Sequence, residues 1–188
     1  MTSDVKPAAA SGINHLVLCV RDIEASERFY TEGLGWERCG VLHGNRVTDM
    51  RFYRASPEHH HHLALMQIDD VSQEPPLRTW NLAKSHGAIN HFAVTYPDRD
   101  SFVQQLRYME SKGVEFAVRG DHGMTHSAYV VSPDGVGVEI LYEVPAEAWE
   151  GDVDAALNHF TPMPTSGPEA FEDNTDYTYF GAGDVVAT

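Results

Sequence analysis

Cysteine is nearly absent. The 188 residues hold two, Cys19 and Cys39, neither in a CxxC pair, which excludes a disulfide framework and a cysteine-based zinc or redox centre. Both are read as reduced and structural. Positive charge is scarce: 13 Lys and Arg against 28 Asp and Glu leave a formal net charge of -15, which repels phosphate backbones and anionic lipid surfaces and argues against nucleic-acid and membrane partners. Long apolar runs are also missing. Stretches such as Leu16–Val20 are strand-sized, against the ~20 residues of a spanning helix. Residues 1–12 carry one cation, Lys6, and no apolar block, so no secretory signal is expected and the expected address is cytoplasmic. At 42% hydrophobic and 22% charged, the composition suits one compact domain.

Histidine, by contrast, is plentiful at eleven, and its placement is informative. Ile13-Asn14-His15-Leu16-Val17 reappears 76 residues later as Ile89-Asn90-His91-Phe92-Ala93, each copy opening an alternating apolar segment. An acidic helix start follows each (Asp22, Asp98), then an amphipathic stretch (23–30, 102–109), a closing glycine (Gly35, Gly113) and three strand-like runs: 38–43, 47–55 and 61–68 in the first half, 115–119, 127–131 and 136–143 in the second. Two βαβββ units, about 13–68 and 89–143, are therefore predicted. Each has an apolar sheet face it cannot cover alone, so the expected fold is α+β, with the paired units forming one half-open barrel over 13–143. Side chains alternate across a strand, so His15 shares a face with Val17 and Cys19, and His91 with Ala93 and Thr95, both towards the concavity.

Residues 1–12 read as a lead and 144–188 as an extension. From Pro145 onward there are nine Asp or Glu, no Lys or Arg, and many Pro, Gly and Thr. Only 146–160 looks helical; the rest reads as an arm laid on a neighbouring surface, with partial disorder as the alternative. The connection 69–87, with Pro75 and Pro76, is long enough to be a functional cover.

Two histidines and one carboxylate on one side of a site leave coordination positions open, an arrangement that suits a ferrous ion binding both substrate and dioxygen. His15 and His91 supply the imidazoles. Glu139, in Gly135-Val136-Gly137-Val138-Glu139, is the third candidate, because an isolated glutamate in an apolar strand needs a partner and a metal is the simplest one.

The segment 120–139 resembles the signature of the type I extradiol ring-cleaving dioxygenases, in the vicinal-oxygen-chelate superfamily that also holds glyoxalases and bleomycin resistance proteins. Gly120, His122, Tyr129, Pro133, Gly135 and Glu139 match; Ala128 and Ser132 depart, standing where the signature has an aliphatic and an acidic residue. The resemblance covers roughly 13–143. It implies an Fe(II) enzyme, with Mn(II) as the alternative ion, that cleaves a small aromatic diol of the catechol type with O2 and takes part in aromatic catabolism. His15, His91 and Glu139 would be ligands, and His61, His122 and Tyr129 catalytic. Tyr129 and His122 would hydrogen-bond the catecholate oxygen, and His61 would steady dioxygen and deliver a proton as the ring opens. His60 is the alternative to His61 within the run His59-His60-His61-His62, which would also suit a solvated loop. A homo-oligomer is the expected assembly. Two readings compete: a glyoxalase-like isomerase or epimerase, for which Gln67 is the one nearby candidate for a fourth ligand, and a metal-free protein that sequesters a small molecule.

Overall fold

The structure, a computed structural model, describes residues 13–42, 49–83, 89–173 and 176–181. The first unit runs β1 (Leu16–Val20), α1 (Ile23–Arg28), β2 (Glu37–Val41), β3 (Met50–Arg54) and β4 (Leu63–Gln67). The second repeats it as β5 (His91–Thr95), α2 (Arg99–Ser111), β6 (Val118–Asp121), β7 (Thr125–Val131) and β8 (Gly137–Glu143). Both helices start where the acidic residues indicated: Asp22 Oδ1 accepts from Ala25 N at 3.0 Å and Asp98 Oδ1 from Ser101 N at 2.8 Å, satisfying amide donors that the first turn leaves without partners. Each helical segment closes on a glycine at φ +76°, Gly35 and Gly113, a left-handed conformation that costs other residues energy.

Each unit forms its own sheet, in the order β1-β4-β3-β2 and, with one strand added, β5-β8-β7-β6-β9. β1 pairs β4, and β5 pairs β8, in parallel; the other ladders are antiparallel. The fold is thus α+β, two open sheets of paired units in keeping with a half-open barrel. β1 and β5 are both sheet edges. Of the predicted strands 38–43 and 47–55, residues 43 and 47–48 lie outside the described residues.

The alternation behaves as expected. Leu18 and Val20 are buried, while His15, Val17 and Cys19 on the opposite face of their strand are exposed, as are Ala93 and Thr95 on β5. One core joins both units: Leu18, Val20, Tyr30 and Leu65 from the first pack with Phe102, Leu106, Val138 and Ile140 from the second. Polar contacts reinforce the join. Asp134, in the β7–β8 turn, accepts from Arg21 N at 2.8 Å and Ser26 Oγ at 2.5 Å, Gln105 Nε2 donates to Leu34 O at 3.0 Å, and Tyr108 OH to Glu32 O at 3.1 Å.

The extension departs from expectation. In place of one helix over 146–160 there are two short ones, α3 (Ala146–Trp149) and α4 (Val153–Leu157), followed by β9 (Thr161–Pro162), which pairs with β6. The break falls at Gly151, where a Cβ would come within 2.6 Å of Phe180 O; the returning chain occupies the space a continuous helix would need. The arm then lies on the second unit. Arg119 donates to Glu169 O at 3.2 Å and Glu172 O at 2.9 Å, and Asp173, fully buried, lies 2.9 Å from His126 Nδ1 and 3.7 Å from Arg119. Among the described residues no helix is long and apolar enough to cross a membrane.

Candidate metal centre

The two repeated histidines are held in the same way. His15 Nδ1 lies 2.8 Å from Asn14 Oδ1, and His91 Nδ1 lies 2.8 Å from Asn90 Oδ1. An amide oxygen only accepts, so in each ring Nδ1 carries the proton and Nε2 presents its lone pair. Orienting an imidazole through its second nitrogen is how proteins prepare a metal ligand. The asparagines were visible in the motif, but nothing in the sequence assigned them this task.

Around His91 the second unit assembles most of the expected site. His91 Nε2 faces Glu139 Oε2 at 3.4 Å, Tyr129 OH donates to Glu139 Oε1 at 2.8 Å, and His122 Nε2 is 3.2 Å from the same hydroxyl. With its proton given to Glu139, the Tyr129 oxygen is left to accept from His122. The sheet explains the grouping: Tyr129 is directly opposite Glu139 across β7 and β8, and Ala93, two residues beyond His91 on the same face of β5, is opposite Glu139 on the other side. Burial, reinforced by the Glu139 charge and hydrogen bond, pushes the Tyr129 phenol well above its ordinary range. Burial lowers His122, against the opposing pull of Glu139 and Asp121. His126 is on the other face of β7, turned to Asp173, as the alternation required.

The connection 69–87 is a cover where it is described. Trp80 stacks on Tyr129 with centroids 5.8 Å apart, and its indole N–H donates to Asn90 O at 2.8 Å. Sequence reasoning missed Trp80, whose signal was an aromatic residue in a proline-marked loop.

His15 and His61 are elsewhere. Their rings lie 4.5 Å apart, with His60 next to both and Phe52 edge-on to His61 at 5.0 Å. His61 precedes β4 rather than opening it, and its pKa is lowered by burial and then by the neighbouring His15 and His60. Among the described residues no three His, Cys, Asp or Glu side chains are gathered closely enough to hold a metal. The chain therefore presents two half-sites, His15 with His61 and His91 with Glu139, Tyr129 and His122. Gln67 is fully engaged at the start of α1, accepting from Ile23 N at 2.9 Å and donating to Arg21 O and Ile68 O.

The second half-site fits a divalent ion. A neutral imidazole and a carboxylate 3.4 Å apart are spaced like neighbouring ligands of one ion at about 2.1 Å from each. Beside them is a cavity of about 540 Å³, lined by His122, Tyr129, Glu139, Leu141 and, from the extension, Trp149 and Leu157.

Residues 12–140 match the family described as the Glyoxalase/Bleomycin resistance protein/Dioxygenase superfamily. A catechol-2,3-dioxygenase of Bacillus subtilis (strain 168) is 26% identical over 140 residues, 74% of this chain, although the chain spans only 44% of that relative's length. A lactoylglutathione lyase of Pseudomonas putida is 27% identical over 173 residues, covering 77% of this chain and 93% of that one. Among solved structures, a domain of this superfamily from Frankia sp. EAN1pec matches with a TM-score of 0.55 at 18% identity, covering 72% of this chain and all of that one. The fosfomycin resistance protein FosX from Listeria monocytogenes, complexed with Mn(II) and sulfate, matches at 0.50 and 18%, covering 73% of this chain and 94% of that one. The family match spans well over half of the sequence, and the chain belongs to the glyoxalase/bleomycin resistance protein/dioxygenase superfamily.

Proposed function

We propose that this protein is an Fe(II)-dependent extradiol dioxygenase that cleaves the ring of a catechol with O2, its metal held by His91 and Glu139 of one copy and His15 of a second. One observation carries this reading: a pre-oriented His91 Nε2 faces Glu139 beside a Tyr129–His122 pair, while an equally oriented His15 lies with His61 in the same chain but apart from them. The shared core and the Asp134 contacts lock the two units together, so His15 does not swing across. A second copy, meeting the open faces of β1 and β5, supplies it.

When bound, ferrous ion supplies Lewis acidity that ionises the catechol, together with open positions for substrate and dioxygen. Tyr129 and His122 orient the ionised oxygen. His61, brought in with His15, delivers the proton as the ring opens, and Trp80 keeps water from the ring of Tyr129. A cytoplasmic location and a role in aromatic catabolism accompany this reading.

Complementation tests it. His15→Ala and Glu139→Ala should each bind little iron and consume no oxygen with catechol. Co-expressed, they should recover up to about a quarter of wild-type activity, because half of the dimers are mixed and each mixed dimer keeps one intact site. No recovery in demonstrably mixed dimers would place all ligands within one chain. The Pseudomonas relative favours a second reading, a glyoxalase-like isomerase. Isomerisation of a hemithioacetal, with no oxygen uptake on any catechol, would establish it in place of the first.

A further inference from the structure

The family match ends at residue 140, yet the cavity beside Glu139 is finished by residues beyond it. Its floor is the β7–β8 ladder, where Tyr129 pairs with Glu139, Ser127 with Leu141 and Thr125 with Glu143. From Glu139 to Glu143 the floor runs about 13 Å, more than twice the span of one benzene ring. Trp149 and Leu157 line the same cavity. The Trp149 indole is tied to the residue after Glu143, its N–H donating to Val144 O at 3.1 Å, and Leu157 is 68% exposed at the end of α4. The wall is fastened to the catalytic strands: Phe160 packs on His122 with centroids 4.9 Å apart, and a Cβ on Gly123 would come within 3.0 Å of Ala156 O and 2.9 Å of the Phe180 ring.

We infer that the extension sets substrate specificity, and that the site takes a catechol bearing a neutral apolar substituent, such as a second ring, which lies along the ladder beside Trp149 and Leu157. This rests on the dioxygenase reading for the diol end. The substituent end follows from the cavity, since a plain catechol leaves the space beside Trp149 and Leu157 unfilled. Glu143 closes the far end in a chain of formal charge -15, so a substituent ending in a carboxylate meets like charge.

The test is anaerobic calorimetry of the iron-loaded full chain with catechol, 3-phenylcatechol and 3,4-dihydroxyphenylacetate. Wild type should bind 3-phenylcatechol at least about tenfold more tightly than catechol and bind the carboxylated compound most weakly. Trp149→Ala and the surface change Leu157→Ser should each erase most of that preference, read as the ratio of the two affinities in the same variant. Glu143→Gln should raise affinity for the carboxylated compound about fivefold. An unaltered preference in both wall variants, or a wild type that favours the carboxylated compound, would overturn the inference. Oxygen uptake on the same samples separates the two ideas: wall-dependent binding without turnover of any catechol sinks the dioxygenase reading and leaves the wall standing.

Discussion

In the first unit Ala64 has Val17 of β1 on one side and Phe52 of β3 on the other; in the second, Glu139 has Ala93 of β5 and Tyr129 of β7 in the same places. The aromatic rings even do similar work, Phe52 edge-on to His61 at 5.0 Å and Tyr129 edge-on to His91 at 5.4 Å. The two halves thus share a scaffold and a pre-oriented histidine, but at these equivalent positions the second carries a carboxylate and the hydroxyl that donates to it where the first has Ala64 and Phe52. A fold of repeated units can bury an alanine and a glutamate at equivalent positions because the ladder fixes only the backbone. The charge is tolerated where the Tyr129 hydroxyl and the His91 imidazole stand against it.

The largest effect should come from erasing that difference. Glu139→Ala makes the second unit resemble the first and should reduce bound iron, read by elemental analysis, to the level of His91→Ala. Iron at wild-type stoichiometry in Glu139→Ala would sink the proposed centre. The reverse change, Ala64→Glu, should create no second site. It buries a carboxylate opposite a phenyl ring and should instead destabilise the protein by about 3 kcal/mol in denaturant melts.

The units differ next in what covers them, and the extension's anchor is a charge cluster. Burial pushes Asp173 up, but the hydrogen bond and charge of His126, the charge of Arg119 and a hydrogen bond from Tyr142 outweigh it and hold its pKa below the usual 3.8. Asp121 and Tyr177 are the other groups near the His126 ring. A carboxyl depressed on folding contributes stability that is present above its unfolded value and lost as pH falls through its folded value. The arm should therefore stay docked down to about pH 4 and loosen only below it. Asp173→Asn should cost about 3 kcal/mol at neutral pH by leaving Arg119 without its charge partner, and should remove this acid transition. Hydrogen exchange over 161–181 reads both effects, and protection unchanged in the variant would show the arm to be held by other contacts.

The sequence made the doubled unit legible because period-two alternation and the Ile-Asn-His repeat are local. It made the residues around Glu139 legible through the signature over 120–139, because they come from one contiguous stretch: His122 in the turn before β7, Tyr129 on β7 and Glu139 on β8. What it could not convey was which faces meet. That His15 lies with His61 rather than His91 follows from how the two units pack, which no strand pattern encodes. The split at Gly151 and the Arg119–Asp173–His126 anchor both depend on the chain returning after α4, and contacts made over such sequence distances leave no periodic trace.

The smallest expected effect separates the halves most finely, because it concerns a device they share, the Asn–His pair. Asn90 is half-buried and itself tied down: its carbonyl accepts from Trp80 Nε1 at 2.8 Å and from Gly137 N at 3.0 Å, and its amide donates to Asn81 O at 3.2 Å. Asn14 is exposed, and its carbonyl is met by His59 Nε2 at 3.0 Å. A rigid orienting group holds its imidazole with less entropy left to lose on metal binding, so its removal matters more. Asn90→Ala should lower iron affinity at the upper end of the roughly 10- to 100-fold range typical of such orienting partners, and Asn14→Ala at the lower end. Competition against a calibrated chelator measures both. Equal losses would mean that the surrounding contacts add nothing to the Asn–His pair, and a larger loss in Asn14→Ala would mean that His15 rather than His91 is the better organised ligand, reversing the comparison.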